Sequence, residues 1–79
     1  AAQRVKMLLN MFAETYGERT PKGIVLKIKL SHQDIADTIG LTRETVTRVL
    51  DKWKRNGEIE VLKNRLILLK PEFEAISLQ

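Results

Sequence analysis

Apolar residues recur at the spacing of an amphipathic helix from about Ala2 to Tyr16, and Gly17 is expected to end this helix. Met7 and Met11 widen the apolar face, and we expect them to pack in the core or against a partner helix rather than to bind a cofactor. The face itself is made of Val5, Leu8, Leu9, Phe12 and Tyr16.

After this helix the pattern changes to a polar loop and then to a strand. The loop covers residues 17–23 and contains Pro21. Residues 25–30 alternate as V-L-K-I-K-L, which predicts a β-strand with Lys27 and Lys29 on its solvated side.

The C-terminal part of the chain predicts a β-hairpin. Its two strands cover residues 58–63 and 65–70 and meet at positions 63 and 64. Pro71 ends the second strand, since proline cannot donate a backbone hydrogen bond to a sheet. Residues 72–78 are expected to form a short helical tail.

Between the strand and the hairpin, residues 31–50 read S-H-Q-D-I-A-D-T-I-G-L-T-R-E-T-V-T-R-V-L and predict two short helices around a Gly-Leu turn. Ser31 and Asp34 have the spacing of a capping box, which starts the first helix. Gly40 supplies the left-handed residue that ends it, and Thr42 caps the second helix. This order of elements is a helix-turn-helix.

The second of these helices, residues 42–56, has an apolar side and a polar side. Arginine can donate two hydrogen bonds to guanine O6 and N7, and glutamate can accept one from cytosine N4. We therefore interpret the helix as the recognition helix of a DNA-binding domain, with mixed charges on an ordinary solvated helix face as the alternative. The side chains available to bases in its first two turns are Arg43, Glu44, Thr47 and Arg48.

The length and composition of the chain argue against several classes of function. A chain of 79 residues makes one small core and leaves no room for a large catalytic pocket. Without cysteine it has no disulfide, no thiolate zinc site and no thiol nucleophile, and no apolar run reaches the roughly 18 residues of a membrane span. The net charge of +4 mildly favours a polyanion. We expect a cytoplasmic, non-enzymatic domain without cofactor or metal, in which the single histidine, His32, faces solvent or phosphate.

Helix, strand, helix-turn-helix and hairpin in this order predict a winged helix-turn-helix, a mainly α fold with a small antiparallel β-sheet. The hairpin is the wing, and Trp53 is expected in the core rather than as a platform for stacked bases. The expected core is Leu8, Phe12, Ile28, Ile35, Ile39, Leu41, Val46, Val49, Leu50, Trp53, Ile59, Val61 and Ile67.

The stretch L-S-H-Q-D-I-A-D-T-I-G-L-T-R-E-T-V-T-R-V-L resembles the DNA-binding domain of the bacterial cyclic-AMP receptor/fumarate-nitrate regulator (Crp/Fnr) family. The resemblance extends over nearly the whole chain. Its specific part is R-E-T-V-T-R after G-L-T, together with L-S-H-Q-D-I-A and the G-E-I-E-V of the wing. It implies that the second helix enters the major groove of a palindromic operator, with direct base contacts by Arg43, Glu44 and Arg48, and by Thr47 as in the fumarate-nitrate branch.

The same resemblance implies phosphate contacts at the starts of both helices and on the wing. One position departs from the family pattern, because Asp51 stands where a basic residue is frequent. An acidic side chain there is expected to pair with Arg48 or Lys54 and to repel phosphate. The implied phosphate contacts are Ser31, His32, Gln33, Thr42, Lys63 and Asn64.

The family also has a signal-sensing domain and a long dimerisation helix upstream, and neither is present in this sequence. We therefore expect residues 1–79 to be the single winged-helix DNA-binding domain of a longer bacterial regulator that acts as a homodimer. In the family a loop at the place of residues 17–23 touches RNA polymerase, which makes this loop a candidate contact, with a simple connector as the alternative.

The leading hypothesis is sequence-specific binding of double-stranded DNA in transcription regulation. The alternative from another class is a winged helix that serves as a protein-interaction module, through the first helix or the wing. An enzyme ranks third, because one histidine and scattered carboxylates do not assemble a nucleophile, a base and an orienting group.

Overall fold

Three helices and four short strands alternate along residues 2–71 and 73, which are the residues that the computed structural model describes. The four strands form one antiparallel sheet in the order β1-β2-β4-β3. The prediction of a mainly α winged helix-turn-helix with a small antiparallel sheet is confirmed. The elements are α1 (Ala2–Tyr16), β1 (Gly17–Thr20), β2 (Gly23–Leu26), α2 (His32–Ile39), α3 (Arg43–Arg55), β3 (Ile59–Val61) and β4 (Ile67–Leu69).

The main core lies between the three helices and one face of the sheet. Trp53 is buried there and meets Phe73 edge-on, with 5.1 Å between the ring centroids, so the prediction of a core tryptophan is confirmed. A second, smaller cluster contains Val25 and Leu68, whose side chains lie on the opposite face of the sheet from their neighbours in the main core. The fully buried side chains of the main core include Val5, Leu9, Leu26, Ile35, Val46, Leu69 and Phe73.

Residues 17–23 were expected to be a loop, and this prediction is wrong, because they contain β1 and the turn into β2. The strand begins directly after α1, and Gly17 lies so close to the carbonyl of Ala13 that a Cβ would collide with it. The side chains of β1 are almost all exposed, since it is an edge strand with no covered face. Its sequence therefore lacks the alternation that marks a strand.

The strand predicted at residues 25–30 lies earlier and is shorter, at Gly23–Leu26. The sheet explains this limit, because β4 pairs only with Ile24 and Val25, and the ladder with β1 stops at the pair of Leu26 and Gly17. Beyond this point the backbone has no strand to pair with and turns towards α2. Ile28 still packs against the main core.

The wing is also shorter than predicted, since its strands are Ile59–Val61 and Ile67–Leu69 rather than residues 58–63 and 65–70. The turn includes positions 62–66, where the amide of Arg65 donates to the carbonyl of Leu62 at 2.9 Å. Arg65 has a φ of 67°, which is the left-handed conformation that usually requires glycine.

Several core predictions need correction. Val61 is 46% exposed, because its side chain borders an open space between the wing and α3 that no helix covers. Met7 and Met11 are 66% and 62% exposed, so they do not belong to the core face of α1. Residues that were expected in the core and are only half-buried against it are Phe12, Ile28, Ile39, Leu41 and Val49.

The tail helix predicted at residues 72–78 lies outside the described residues, apart from Phe73. Phe73 is fully buried, and the ammonium group of Lys6 lies 5.1 Å from the centre of its ring. The start of the tail therefore closes the core next to α1.

Candidate nucleic-acid interface

Helix α2 begins with a reciprocal pair of hydrogen bonds. The amide of Asp34 donates to the side-chain oxygen of Ser31 at 3.0 Å, and the amide of Ser31 donates to a carboxylate oxygen of Asp34 at 3.2 Å. This confirms the predicted capping box, which satisfies two of the amides that a helix leaves unpaired at its start.

A tight turn then leads into α3. Gly40 has a φ of 71° and a ψ of 34°, the left-handed conformation predicted for the residue that ends α2. The amide of Thr45 donates to the side chain of Thr42 at 3.2 Å, which confirms Thr42 as the cap of α3. Because both ends of the turn are fixed by caps, the angle between α2 and α3 is set locally as well as by the core.

Helix α3 separates its apolar and polar residues completely. Val46, Leu50 and Trp53 are buried against the rest of the domain. The opposite side is open to solvent and starts at the first residue of the helix. The four predicted base-contacting side chains, Arg43, Glu44, Thr47 and Arg48, all lie outside the core, with Thr47 half-buried and the others exposed.

At the start of α3, Arg43 and Glu44 form an ion pair with 3.6 Å between the guanidinium and the carboxylate. Their side chains are 60% and 71% exposed, and an ion pair so open to solvent contributes at most about 1 kcal/mol. Either partner can therefore leave the pair to form hydrogen bonds with a base at little energetic cost.

One turn later, Arg48 borders two shallow depressions on α3. The first has a volume of about 410 Å³ and also touches Asp51, Lys54 and Arg55. Asp51 pairs with Lys54 at 3.1 Å, which is one of the two partners expected for it. This ion pair neutralises the carboxylate that departs from the family pattern and leaves the charge of Arg48 on the surface of the helix.

His32 connects the two helices of the motif. Its Nδ1 lies 2.7 Å from Oγ1 of Thr47, and both side chains are half-buried. The sequence predicted a phosphate contact for His32 and a base contact for Thr47, and the structure brings these two side chains into direct contact. No pattern in the sequence indicated this hydrogen bond, since the two residues are separated by an entire helix and a turn.

Three of the predicted phosphate contacts have structural roles of their own. The side chains of Ser31 and Thr42 cap the helices, and Nε2 of the Gln33 side chain donates to a carboxylate oxygen of Asp37 at 2.8 Å. Helix starts nevertheless attract phosphate through their free backbone amides, even where a side chain fills the cap.

On the wing, the two predicted contacts differ. Lys63 is exposed at the tip. The side-chain carbonyl of Asn64 accepts from the amide of Leu66 at 3.1 Å and thereby shapes the turn. The next residue, Arg65, was not predicted as a contact, although it projects a cation from the same turn.

Arg65 borders two openings between the wing and the helix-turn-helix. One has a volume of about 200 Å³ and lies next to His32 and Lys54. The other, of about 260 Å³, lies next to Lys29 and Ser31 at the start of α2. Three cations, from a loop, a helix and the wing, thus border the openings at the start of α2, although Asp34 lines the second opening and Lys54 is paired with Asp51. A cluster of cations attracts phosphate. The left-handed conformation of Arg65 is visible only in the structure, and the sequence signal for this residue is its place directly after the predicted contacts Lys63 and Asn64.

Among residues 2–71 and 73, no group of three side chains that could hold a metal ion occurs. None of the helices described there is long and apolar enough to cross a membrane.

Comparison with known sequences places this geometry in context. The family described as the Crp-like helix-turn-helix domain matches residues 3–73. The chain is 38% identical over 68 residues to the global nitrogen regulator of Synechococcus elongatus, a match that covers 86% of this chain and 31% of that protein. It is 46% identical over 56 residues to the nitrogen fixation regulation protein FixK of Rhizobium meliloti, covering 70% of this chain and 26% of FixK. The chain therefore spans less than a third of the length of these relatives.

Two solved structures have folds similar to that of this chain. The CO-dependent transcription factor CooA from Carboxydothermus hydrogenoformans is similar with a TM-score of 0.83 and 32% sequence identity, over 96% of this chain and 36% of CooA. The C200S form of CprK is similar with a TM-score of 0.79 and 25% identity, over 95% of this chain and 38% of CprK.

Proposed function

The chain belongs to the family of Crp-like helix-turn-helix domains, which bind DNA in transcription regulators, and from that premise we propose that its recognition helix, residues 42–56, reads a palindromic operator from the major groove. The observation that carries this proposal is the polar side of α3, which is capped at its start and faces away from the core. An α-helix fits the major groove of B-DNA, so a helix with one free polar side can present that side to base edges.

Each of the three exposed side chains has a base partner of matching chemistry, and Thr47 is half-buried beside them. Arg43 and Arg48 each donate two hydrogen bonds to a guanine, and Glu44 accepts one from the amino group of a cytosine. Thr47 contributes a hydroxyl group that His32 holds at 2.7 Å. These contacts distinguish one sequence from another, whereas contacts to phosphates do not.

The surrounding cations and helix starts supply the sequence-independent part of the binding. The starts of α2, at Ser31, His32 and Gln33, and of α3, at Thr42, lie beside phosphates in this proposal, with the amide of Ser31 itself engaged by Asp34. On the wing, Lys63 and Asn64 lie at the tip, and Arg65 adds a cation that borders the same opening as Ser31.

We infer that the longer regulator binds its operator as a homodimer in the cytoplasm of a bacterium. Two identical modules match the two halves of a palindrome when their recognition helices are about 34–36 Å apart, which is one turn of DNA. The chain covers 31% of the length of the global nitrogen regulator, and we propose that the dimer contacts of the longer protein lie outside these 79 residues.

The hairpin of β1 and β2 is proposed as a contact for RNA polymerase. It lies at the edge of the sheet opposite to β3, the strand of the wing that packs beside α3, so a partner can reach it while the wing faces DNA. Thr20 has a structural role in the turn, because its hydroxyl donates to the carbonyl of Gly23 at 2.9 Å. The informative changes are therefore Arg19→Ala and Lys22→Ala, which should reduce activated transcription without altering operator binding.

A protein-interaction module remains the second candidate function, and it is not favoured. Its best support is the exposed pair Met7 and Met11 on α1. The two functions differ in their salt dependence. Each phosphate contact lowers log K by about 0.9 per unit of log salt concentration, while an apolar interface has no such dependence.

The test is a fluorescence anisotropy titration of the chain with duplex DNA over a series of salt concentrations. The Arg43→Ala and Arg48→Ala variants should each lose about 1–3 kcal/mol of discrimination at one guanine. Arg4→Ala is the matched control, since Arg4 is an exposed arginine on α1. Equal losses on specific and random duplexes would show that the two arginines do not read bases.

A further inference from the structure

The hydrogen bond between His32 and Thr47 links a predicted phosphate contact to a predicted base contact. Nδ1 of His32 lies 2.7 Å from Oγ1 of Thr47. Thr47 lies on the polar side of α3, one turn after Arg43 and Glu44, so a group that holds its hydroxyl in place also determines which hydrogen bond this part of the helix offers to DNA.

A threonine hydroxyl can donate one hydrogen bond and can accept up to two. If a neutral imidazole carries its proton on Nε2, its Nδ1 accepts the proton of the hydroxyl, which then has only lone pairs to offer elsewhere. If the proton is on Nδ1, the imidazole donates, and the hydroxyl proton stays free for another acceptor. The protonated atom of the ring therefore decides whether Thr47 acts on DNA as an acceptor or as a donor.

We propose that His32 is a specificity-determining residue that makes Thr47 a hydrogen-bond acceptor, so that the chain selects a base with an amino group in the major groove, adenine or cytosine, at the position facing Thr47. This inference deepens the proposed function and rests on it. Adenine presents its amino group at N6 and cytosine at N4, whereas guanine and thymine present carbonyl oxygens at the corresponding positions.

One observation and the proposed function support this direction of the bond. The separation of 2.7 Å is usual for a hydroxyl donor and lies at the short end of the range for an N–H donor. In addition, the proposed function places the start of α2 next to phosphate, and a histidine that donates to phosphate from Nε2 must leave Nδ1 unprotonated while it is neutral. The imidazole of His32 then contacts a phosphate through Nε2 and, through Nδ1 and Thr47, affects which base is recognised.

The first experiment compares variants of the 79-residue chain in selections from a duplex library randomised over about 20 base pairs, the span of two half-sites one turn apart. Thr47→Val removes the hydroxyl at nearly constant shape and so identifies the base pair that it contacts. At that base pair the unmodified chain should prefer one pair by about 5-fold or more, and both His32→Ala and a duplex in which hydrogen replaces the major-groove amino group of that pair should lose the preference.

His32→Asn is the conservative variant that separates the two roles of His32. Its amide oxygen occupies nearly the position of Nδ1 and can accept from Thr47, but the side chain is too short to replace Nε2. His32→Asn should therefore keep the base preference and bind all sequences more weakly. A residue with a merely structural role would not show this separation of preference from affinity.

The double variant His32→Ala with Thr47→Val completes the test, because residues that act through one contact are not additive. Its preference at this base pair should equal that of Thr47→Val alone. Independent effects of the two changes, or a preference that survives removal of the amino group from that base pair, overturn the inference while leaving sequence-specific binding intact.

A measurement without DNA separates this inference from the proposed function. Nitrogen-15 NMR of the imidazole in the neutral form shows which ring nitrogen carries the proton. A proton on Nε2, with Nδ1 unprotonated, is the expected result, and a proton on Nδ1 overturns the inference whatever the DNA experiments show. A chain with the expected ring state but no sequence preference overturns the proposed function, and the selectivity of Thr47 with it.

Discussion

Two substitutions of Arg65, to glycine and to alanine, should show separately how this residue affects the stability of the wing and how it affects the affinity for DNA. Arg65 has a φ of 67°, and a left-handed conformation costs a non-glycine residue about 1–2 kcal/mol. Glycine removes this strain but loses about 0.5–1 kcal/mol through its greater freedom in the unfolded chain. Arg65→Gly should therefore be more stable than Arg65→Ala by roughly 0.5–1 kcal/mol, or about 2–8 °C in Tm for a chain of this length.

Both variants remove the same cation from the surface beside the start of α2. Both should bind specific and random duplexes more weakly by a similar factor, and the slope of log K against log salt should become shallower by about 0.9. Arg65→Lys keeps a positive charge and is the matched control, which should retain most of the salt dependence.

Thermal unfolding measures the difference in stability between the variants, and anisotropy titrations of the same samples measure their affinity for DNA. If Arg65→Gly is no more stable than Arg65→Ala, the turn does not hold a left-handed residue at this position. If both variants bind DNA with an unchanged salt slope, Arg65 does not contact phosphate, and the arginine has another reason to occupy a position that favours glycine.

Three further outcomes are expected. Glu44→Ala should relax the sequence preference more than it weakens total binding, because an unpaired carboxylate near phosphates opposes binding to the wrong sequence; a uniform drop in affinity in library selections would contradict this. Trp53→Ala should lower the free energy of unfolding by about 3–5 kcal/mol, since it empties a buried site beside Phe73, and denaturant unfolding measures the loss; unchanged stability would mean that the tryptophan is outside the core. Fusing a parallel dimeric coiled coil upstream should raise affinity for a full palindrome by roughly 10²-fold and barely affect a single half-site, and equal affinities for fused and unfused chains would show that the chain already dimerises by itself.

The helix-turn-helix was predictable because its signals are local. Ser31 and Thr42 each accept from an amide three residues on, and the amide of Gly40 donates to the carbonyl of Ala36, so their spacing along the chain already specifies the two helix starts and the turn. The polar side of α3 was predictable for a similar reason, since the period of a helix decides which residues share a face. Identities of the candidate base contacts followed from that face and from the family resemblance.

The strands were less predictable, because their limits depend on partners far away in sequence. The first hairpin was missed at β1, whose exposed side chains carry no alternation, and the strand after it ends where β4 offers no further partner. Val61 has the right residue type for a core position and is nevertheless exposed, since no helix extends over that end of the wing.

The sequence by itself therefore determined the capped helices, the order of the elements and the polar face that we propose to read DNA, all of which depend on interactions within a few residues. Only the tertiary structure decided that His32 touches Thr47 and that Arg65 joins Lys29 and Lys54 around the start of α2. Those contacts join side chains from separate elements. Their distances are set by how the core packs α2, α3 and the wing together, and no periodicity along the chain records that packing.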